Sequence, residues 1–328
     1  MKAHSTTGGP ADPASLLAVI ACPNLSLDRT IRVELAALGK VHRSIASDVR
    51  GGGKGVNVAR ALKCMGHGAQ VAGISAGRTG RTVLALLDDE GLGLASVKTD
   101  GETRSCLTVL SESPPTVFNE AGPTIDESLW VRYEEVLAEH LSGAGTFVAS
   151  GSLPPGAPEH AVARTIERAA AAGCTTICDT SGIYLAAALE ARPDVIKPNL
   201  PEALALLGEG DDEPVDAPAD AIERAREVAL ELLGRGPKAV VVTVGAAGVA
   251  YASDGEVHAL SSPQVEVVNP VGAGDCFVAG LVMELGAHAS LHDAIRTGVA
   301  MGAASCETFA AGLVDPERVR GLRAGLRD

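Results

Sequence analysis

The sequence predicts an α/β fold with a mainly parallel central sheet and a small separate group of antiparallel strands. Short apolar runs alternate with longer amphipathic stretches along the 328 residues, which is typical of repeated strand-helix units. Hydrophobic residues make up 46% of the chain but aromatic residues only 2%, so Ala, Val, Leu and Ile must fill the core. We expect one domain over residues 16–328, preceded by a mobile tail at residues 1–15.

Five short apolar segments are predicted to be buried strands of the central sheet: residues 17–21, 71–74, 146–149, 175–178 and 240–244. Seven amphipathic segments are predicted to be helices: residues 56–65, 82–90, 128–140, 160–172, 219–233, 275–284 and 291–305. A glycine follows five of these helices, where a positive φ would end each one: Gly66, Gly91, Gly143, Gly173 and Gly234.

Two segments, residues 28–50 and 96–119, break this rhythm because they alternate like strands and contain no good helix. They are predicted to be antiparallel strands outside the main sheet. The pattern alone leaves two interpretations open, a small β-lid over an active site or a surface hairpin without a role. Residues 208–218 are acidic and rich in proline, which predicts a solvated loop.

Charge and cysteine content exclude several classes of function. A formal net charge of −14 without any basic run makes nucleic acids and anionic membrane surfaces poor partners. No segment approaches the ~20 apolar residues that a membrane helix needs, and no signal peptide is evident. The odd number of cysteines, seven, suits a reducing compartment, and we expect the cytoplasm. Cys174 and Cys178 lack the second Cys/His pair of a structural zinc site.

The strongest local feature is a glycine turn, Val271-Gly-Ala-Gly-Asp275, that leads directly into a predicted helix. Glycines allow several N–H groups to converge at a helix N-terminus, where the helix dipole favours an anion such as a transferring phosphoryl group. Asp275 is then either a catalytic base or an ordinary helix cap. As a base at this position we expect it to be ionised at neutral pH and intrinsically weak, which phosphoryl transfer tolerates.

A second glycine-rich run, residues 51–55, precedes the helix predicted from residue 56. It is neither a Walker A loop, because no Ser or Thr follows Lys54, nor a dinucleotide-binding G-x-G-x-x-G turn. Bare glycines would let a polyhydroxylated ligand approach the backbone closely, and the Asn57 amide could bond two hydroxyls. A merely flexible loop is the alternative.

Polar or glycine residues also lie where a predicted strand ends, at Lys197-Pro-Asn199-Leu-Pro-Glu202 and at Thr243-Val-Gly245-Ala-Ala-Gly248. Ligands of open α/β sheets bind at this edge. Alternatively, Lys197 is a surface cation and Glu202 a first-turn carboxylate that complements the helix dipole.

Together these motifs resemble the ribokinase-like (PfkB) family of carbohydrate kinases, from about residue 17 to the last helix. Both family signatures are present, residues 52–59 (Gly-Gly-Lys-Gly-Val-Asn-Val-Ala) and residues 269–277 with Gly280. Residues 23–30, 150–156 and 179–182 are similar to the branch that contains 1-phosphofructokinase, tagatose-6-phosphate kinase and the minor 6-phosphofructokinase. The resemblance implies a three-layer α/β/α sandwich with a β-strand lid, within about residues 28–50 and 96–119, that often pairs with the lid of a second subunit.

The resemblance also implies a role for each matching residue, with ATP and Mg²⁺ required. Asp275 would be the base, within the turn of Gly272, Ala273 and Gly274, whose Ala273 and Gly274 amides would hold the transferring phosphoryl charge. A sugar phosphate would be bound by Asp28, Gly52, Gly53 and Asn57, by Arg104 at its phosphate, and by Lys40 across a dimer. ATP would be framed by Lys197, Thr243, Gly245 and Gly248, and magnesium organised through water by Asn199 and Glu202.

One position departs from the branch pattern: Cys106 stands two residues after Arg104, where most members have Asn. A thiol cannot replace the hydrogen bonds of an amide, so the acceptor stays open. The leading hypothesis is phosphoryl transfer to a phosphorylated ketohexose, because Arg104 and Lys40 would provide a cationic seat. The alternatives are a neutral sugar, a nucleoside or a cyclitol phosphate as acceptor, a catalytically silent sugar-phosphate sensor, and, more distantly, an NAD-dependent oxidoreductase.

Overall fold

The computed structural model describes residues 16–209 and 218–327, and these residues form thirteen strands and ten helices. The strands are β1 (Leu16–Asn24), β2 (Ser26–Arg32), β3 (Ala46–Gly52), β4 (Gly68–Ala76), β5 (Gly93–Thr99), β6 (Arg104–Leu110), β7 (Thr116–Asn119), β8 (Thr146–Ser150), β9 (Thr175–Asp179), β10 (Val195–Ile196), β11 (Ala239–Thr243), β12 (Val249–Ser253) and β13 (Glu256–Leu260). The helices are α1 (Lys54–Cys64), α2 (Gly77–Asp89), α3 (Glu127–Leu141), α4 (Ala161–Ala171), α5 (Gly182–Ala188), α6 (Leu200–Leu207), α7 (Pro218–Leu233), α8 (Ala273–Gly286), α9 (Leu291–Cys306) and α10 (Pro316–Gly325).

Nine strands form the large sheet, in the order β13-β12-β11-β10-β9-β8-β1-β4-β5. Its pairs from β11 to β5 are parallel, and only β12 and β13 are added antiparallel at one edge. Helices cover both faces, since one apolar core lies between the sheet and α1, α8 and α9, and a second between the sheet and α3, α4 and α7. The predicted three-layer α/β/α sandwich is confirmed.

The alternation of side chains along β1 shows how one strand serves both cores. Ala18, Ile20 and Cys22 belong to the first core, whereas Val19 and Ala21 belong to the second. Successive side chains of a strand point to opposite faces, so a central strand must be apolar throughout. This explains why the first strand is an unbroken apolar run in the sequence.

The remaining four strands form a small sheet in the order β3-β2-β6-β7. It contains the antiparallel pairs β2–β3 and β6–β7, but β2 and β6 pair in parallel because they come from two distant hairpins. The prediction that all of residues 96–119 lie outside the main sheet is wrong at its start, since residues 96–99 belong to β5. Because β5 is a half-exposed edge strand, polar and apolar residues alternate along it as they do along the strands of the small sheet.

All five predicted strands and all seven predicted helices are present, with ends that differ by a few residues. The glycines at 66, 91, 143 and 173 have the predicted positive φ, but Gly234 does not, and Gly236 has one instead. The expected tail at residues 1–15 and most of the acidic loop at 208–218 lie outside the described residues. No helix of the described residues is long and apolar enough to cross a membrane.

Candidate active site

The glycine turn before α8 is held in place from two sides. Gly272 has a φ of 91°, and a Cβ on it would lie 3.0 Å from the Cβ of Ala311, so both conformation and space favour glycine. Asn269 pins the turn, because its Nδ2 donates to the carbonyl of Phe309 at 2.9 Å and its Oδ1 accepts from the amide of Val271 at 3.0 Å. The turn is therefore a rigid part of the fold.

The backbone N–H groups of this turn differ in whether they have a hydrogen-bond acceptor within the protein. Ala273 N–H donates to the carbonyl of Pro270 at 3.3 Å, and Asp275 N–H donates to the carbonyl of Gly272 at 3.1 Å. Among the described residues, no backbone acceptor is found for the N–H of Gly274. An unpaired N–H in the first turn of a helix is a suitable donor to an anion.

Asp275 is the third residue of α8 and is 5% exposed. Its Oδ2 accepts a hydrogen bond of 2.8 Å from Nδ2 of Asn57, which lies on α1. Burial raises the pKa of Asp275 to about 7, and the negative charge of Asp179 contributes, while Lys54, Asn57 and Lys197 act in the opposite direction. The expectation of a carboxylate fully ionised at neutral pH is not met, because burial outweighs its cationic neighbours.

A second carboxylate, Asp179 at the end of β9, lies between two lysines. Its Oδ1 is 3.2 Å from Nζ of Lys197 and 3.6 Å from Nζ of Lys54. Burial alone would raise the pKa of Asp179, but the two ammonium groups outweigh burial and lower it. Asp179 in turn holds the pKa of Lys54 above its usual value. The site therefore contains two fixed positive charges beside the buried Asp275 carboxyl group.

Lys197 is only 3% exposed, so its interpretation as a surface cation is wrong. A Cβ on Gly274 would lie 3.6 Å from Nζ of Lys197, which places the ammonium group next to the glycine turn. Sequence reasoning assigned no role to Lys54 or Asp179. The signal was present in both cases, since Lys54 is part of the second glycine-rich run and Asp179 ends a parallel strand.

On the small sheet, Asp28 of β2 lies beside the second glycine run. Ser26 Oγ donates to Oδ1 of Asp28 at 2.5 Å, and a Cβ on Gly52 would lie 2.0 Å from its Oδ2. Gly52 must therefore be glycine for the carboxylate to keep its place. Gly53 has a φ of 114° and packs on Cys22, whose Sγ would be 2.8 Å from an added Cβ.

Arg104 begins β6 and lies next to Asp28 in the small sheet. Arg104 pairs in register with Ser26, and Cys106 pairs with Asp28. The side chains of Arg104 and Cys106 therefore lie on the same face of the small sheet as the Asp28 carboxylate. Arg104 Nε and Nη2 donate to the carbonyl of Asn24 at 3.3 and 3.2 Å. Lys40, by contrast, is exposed and lies in the loop between β2 and β3.

The predicted nucleotide residues meet where β10 and β11 end. Asn199 and Thr243 are joined by a parallel bridge, and Gly245 and Gly248 follow with φ of 53° and 118°. A Cβ on Gly248 would lie 2.2 Å from the carbonyl of Leu260, so this loop requires glycine. Strand ends of a parallel sheet thus bring the two separate sequence motifs together.

Asn199 and Glu202 form a capping box at the start of α6. Asn199 Oδ1 accepts from the N–H of Glu202 at 2.8 Å, and Glu202 Oε2 accepts from the N–H of Asn199 at 2.9 Å. The other carboxylate oxygen of Glu202, Oε1, lies 4.0 Å from Nζ of Lys54. Among the described residues, no group of three His, Cys, Asp or Glu could hold a metal by itself. These donors fit a Mg²⁺ that is held mainly by phosphates and water.

The profile of the pfkB family carbohydrate kinases matches residues 24–318. Phosphofructokinase-2 from Escherichia coli is similar in structure, with a TM-score of 0.83 and 30% identity over 93% of this chain and 97% of that one. A possible 1-phosphofructokinase from Thermotoga maritima aligns with a TM-score of 0.82 and 22% identity, over 94% and 98% of the two chains. Ribokinase from Arabidopsis thaliana aligns with a TM-score of 0.71 and 20% identity, over 93% and 98%.

Proposed function

Because the chain belongs to the pfkB family and is an ATP-dependent carbohydrate kinase, we propose that it phosphorylates a hydroxyl of a phosphorylated ketohexose, with Asp275 as base. Acceptors of the 1-phosphofructokinase, 6-phosphofructokinase and tagatose-6-phosphate kinase types all meet this description. The observation that carries the proposal is the buried Asp275 carboxyl beside Lys54, Lys197 and the glycine turn. A base and fixed positive charge lie together there, as phosphoryl transfer requires.

Asp275 would accept the proton of the acceptor hydroxyl as the new O–P bond forms. A pKa of about 7 suits this task, since such a group is largely able to accept a proton at neutral pH and is stronger than an ordinary carboxylate. The N–H of Gly274 and the ammonium groups of Lys197 and Lys54 would face the transferring phosphoryl group and stabilise its charge.

ATP would lie along the carboxyl ends of β10 and β11, with Thr243, Gly245 and Gly248 around the nucleotide and Lys197 near its phosphates. Glu202, oriented by Asn199, would hold Mg²⁺ through water. When bound, the ion would neutralise phosphate charge and orient the γ-phosphoryl group.

The acceptor would lie between the small sheet and Asp275. Asp28 and Asn57 would bind its hydroxyls, the backbone at Gly52 and Gly53 would allow close approach, and Arg104 would hold its phosphate. One neighbouring structure, phosphofructokinase-2 from E. coli, is described as a complex with fructose-6-phosphate, at 30% identity. This supports a phosphorylated ketohexose as the substrate class.

The substitution Arg104→Ala tests the phosphate seat. It should raise KM for a phosphorylated ketohexose by on the order of a hundredfold, since a bidentate charge-assisted contact is lost, while KM for the corresponding neutral sugar changes little. KM values from ADP-release assays on both acceptors measure this. Equal effects on the two acceptors would contradict the assignment of Arg104.

Cys106 favours a second candidate, a kinase of a neutral sugar, a nucleoside or a cyclitol phosphate. Its thiol lies in register with Asp28, where it would face the acceptor. A thiol makes weaker hydrogen bonds than an amide or hydroxyl, so the pocket there suits a less polar part of the acceptor. The catalytically silent sensor is less well supported, because a sensor needs neither the buried base nor the lysines around it.

The small sheet is also the surface that we propose for a homodimer, in which Lys40 of each chain could reach the partner's acceptor. Its edge and loop expose several apolar side chains, namely Leu35, Leu38, Val41, Ile45, Val117 and Phe118. Apolar side chains grouped in this way are typical of a covered surface. All seven cysteines are unpaired, which supports a reducing compartment such as the cytoplasm.

A further inference from the structure

A buried arginine on α1 lies behind the proposed base and has no part in the mechanism above. Arg60 is 3% exposed, and its Nη1 donates to Oδ1 of Asn57 at 2.8 Å. Its Nη2 donates to the carbonyl of Gly51 at 2.7 Å, so the same side chain also holds the glycine run. Arg60 therefore links the loop that would approach the acceptor with the amide that contacts Asp275.

Glu90, which follows α2, holds the guanidinium group of Arg60 in a fixed orientation. Arg60 Nε lies 2.5 Å from Oε2 of Glu90, and Nη2 lies 2.9 Å from Oε1. Two parallel N–H···O contacts of this kind fix both the plane and the position of a guanidinium group. Arg50 Nη1 is 4.0 Å from the same carboxylate, which adds a weaker contact.

The contact from Arg60 decides which way the Asn57 amide points. Arginine can only donate, so the amide must present Oδ1 to it, and the amide nitrogen then faces Oδ2 of Asp275 at 2.8 Å. In the flipped orientation, two donors would meet at Arg60 and two acceptors at Asp275. The chain Glu90–Arg60–Asn57–Asp275 thus has a single self-consistent arrangement of donors and acceptors.

We propose that Arg60, held by Glu90, is a positioning residue for phosphoryl transfer, acting through Asn57 to fix the Asp275 carboxylate toward the acceptor. The inference rests on the proposed function of Asp275 as base. A hydrogen bond from Asn57 also favours the ionised form of Asp275, so losing the arginine should make the base harder to ionise. The other titratable groups that interact with Asp275, namely Lys54, Asp179, Lys197, Cys22 and Cys276, stay unchanged in this comparison.

The substitution Arg60→Met tests the proposal. The substitution should lower kcat by on the order of tenfold to a hundredfold, because misplacement of a reacting group reduces the rate by about that factor. The KM for ATP should change little. The acidic limb of kcat/KM against pH should move to higher pH. Arg164→Met is the matched control, since Arg164 of α4 pairs with the buried Glu134 of α3, on the other face of the sheet from α1 and α8. It should lower thermal stability and leave kcat and the pH profile unchanged.

A double substitution separates positioning from a general loss of structure. If Arg60 acts through Asn57, Arg60→Met should have no further effect on the pH limb in an Asn57→Ala background. A folded Arg60→Met protein with an unchanged kcat and an unchanged acidic limb would overturn the proposal. It would also be overturned if Arg60→Met still shifted the acidic limb in the Asn57→Ala background. Should Arg60→Met fail to fold, Arg60→Lys and Glu90→Gln allow the same comparison.

Failure of the proposed function would be recognised separately, as wild-type protein without kinase activity on any acceptor. The hydrogen-bond chain would then be tested by the unfolding temperature as a function of pH, which needs no substrate. In Arg60→Met the titration of Asp275 should move to higher pH than in the wild type, and an unchanged titration would refute the chain.

Discussion

The Asp275 carboxyl group combines two properties that rarely occur together in an ordinary helix cap. It lies at the N-terminus of α8, where a negative charge is favoured, yet it is almost removed from solvent beside the negative charge of Asp179. The result is a carboxyl group whose pKa is raised to about 7. Environment and not residue type therefore makes it a suitable base.

The raised pKa of Asp275 predicts a measurable dependence of stability on pH. The unfolded chain loses this proton near its ordinary pKa of 3.8, whereas the folded protein keeps it up to about 7. Unfolding therefore releases a proton in this range, and the group's contribution to stability falls as pH rises from about 4 to about 7. Asp275→Asn removes the group. The free energy of unfolding of this variant, relative to that of the wild type, should therefore rise over this range and level off above it.

Thermal unfolding of both proteins between about pH 5 and about pH 8 measures the difference. Asp126→Asn is the control, because Asp126 caps α3 and its pKa is lowered by the N–H of Leu129. Its destabilisation should stay constant over the same range. A constant difference for Asp275→Asn as well would mean that Asp275 is ionised throughout, as an exposed cap would be.

At the scale of elements, the position of α8 depends on close packing against α9. A Cβ on Gly280 would lie 2.6 Å from the Cα of Gly298, so the two backbones approach as closely as glycine allows. Gly280 is part of the motif that includes Asp275, and its place in the sequence is explained by this contact between helices. The motif therefore encodes both the site and the helix packing that fixes it.

Gly280→Ala should destabilise the protein by about 1–3 kcal/mol, because the added methyl group meets backbone that cannot move aside without separating the helices. Gly321→Ala is the matched control on α10, where an added Cβ meets nothing within 4 Å. It should be neutral or stabilise by up to about 1 kcal/mol, since alanine favours a helix more than glycine does. Urea unfolding midpoints compare the two variants. Equal effects would show that the contact between α8 and α9 is looser than described.

The same elements show what sequence could and could not predict. Buried strands such as β8 and β11 were found because they are unbroken apolar runs, and the long helices because their apolar face repeats. The two-residue strand β10 and the seven-residue helix α5 carry too few residues for a periodic signal. The start of the segment at 96–119 was assigned to the wrong sheet. Alternating polar and apolar residues indicate a half-buried strand, but they do not indicate to which sheet the strand belongs.

Within the site, the sequence predicted the residues of the two glycine motifs but not the charges between them. Asp179 and Lys54 are separated by more than one hundred residues, and only the fold shows that Lys54, Asp179 and Lys197 form one cluster. The burial of Asp275, and with it the raised pKa of its carboxyl group, likewise depends on packing from distant segments. Contacts of this kind have no local pattern in a single sequence.

At the scale of the whole molecule, the small sheet extends from the sandwich and presents an apolar surface. Leu38 is 99% exposed, and Phe118 lies on the outer strand β7. An unpaired edge strand with exposed apolar side chains tends to be covered by another chain. This exposed apolar surface is the observation behind the proposed homodimer.

Leu38→Asp combined with Phe118→Asp should convert the proposed dimer to a monomer, because two charges would be buried without partners. Light scattering after size-exclusion chromatography measures the mass. Ile183→Asp is the control, since this side chain is equally apolar and exposed but lies on α5. A double variant that keeps the mass of the wild type would place the interface elsewhere.

The central claim, that Asp275 drives phosphoryl transfer to a phosphorylated ketohexose, is tested most directly by ADP release. Wild-type protein and Asp275→Asn would be compared with Mg-ATP and fructose 1-phosphate, fructose 6-phosphate, tagatose 6-phosphate and their neutral sugars. We expect acceptor-dependent ADP release by the wild type with at least one sugar phosphate, and a loss on the order of a hundredfold or more in the variant. Equal ADP release by the two proteins, or release only with neutral sugars, would contradict the account.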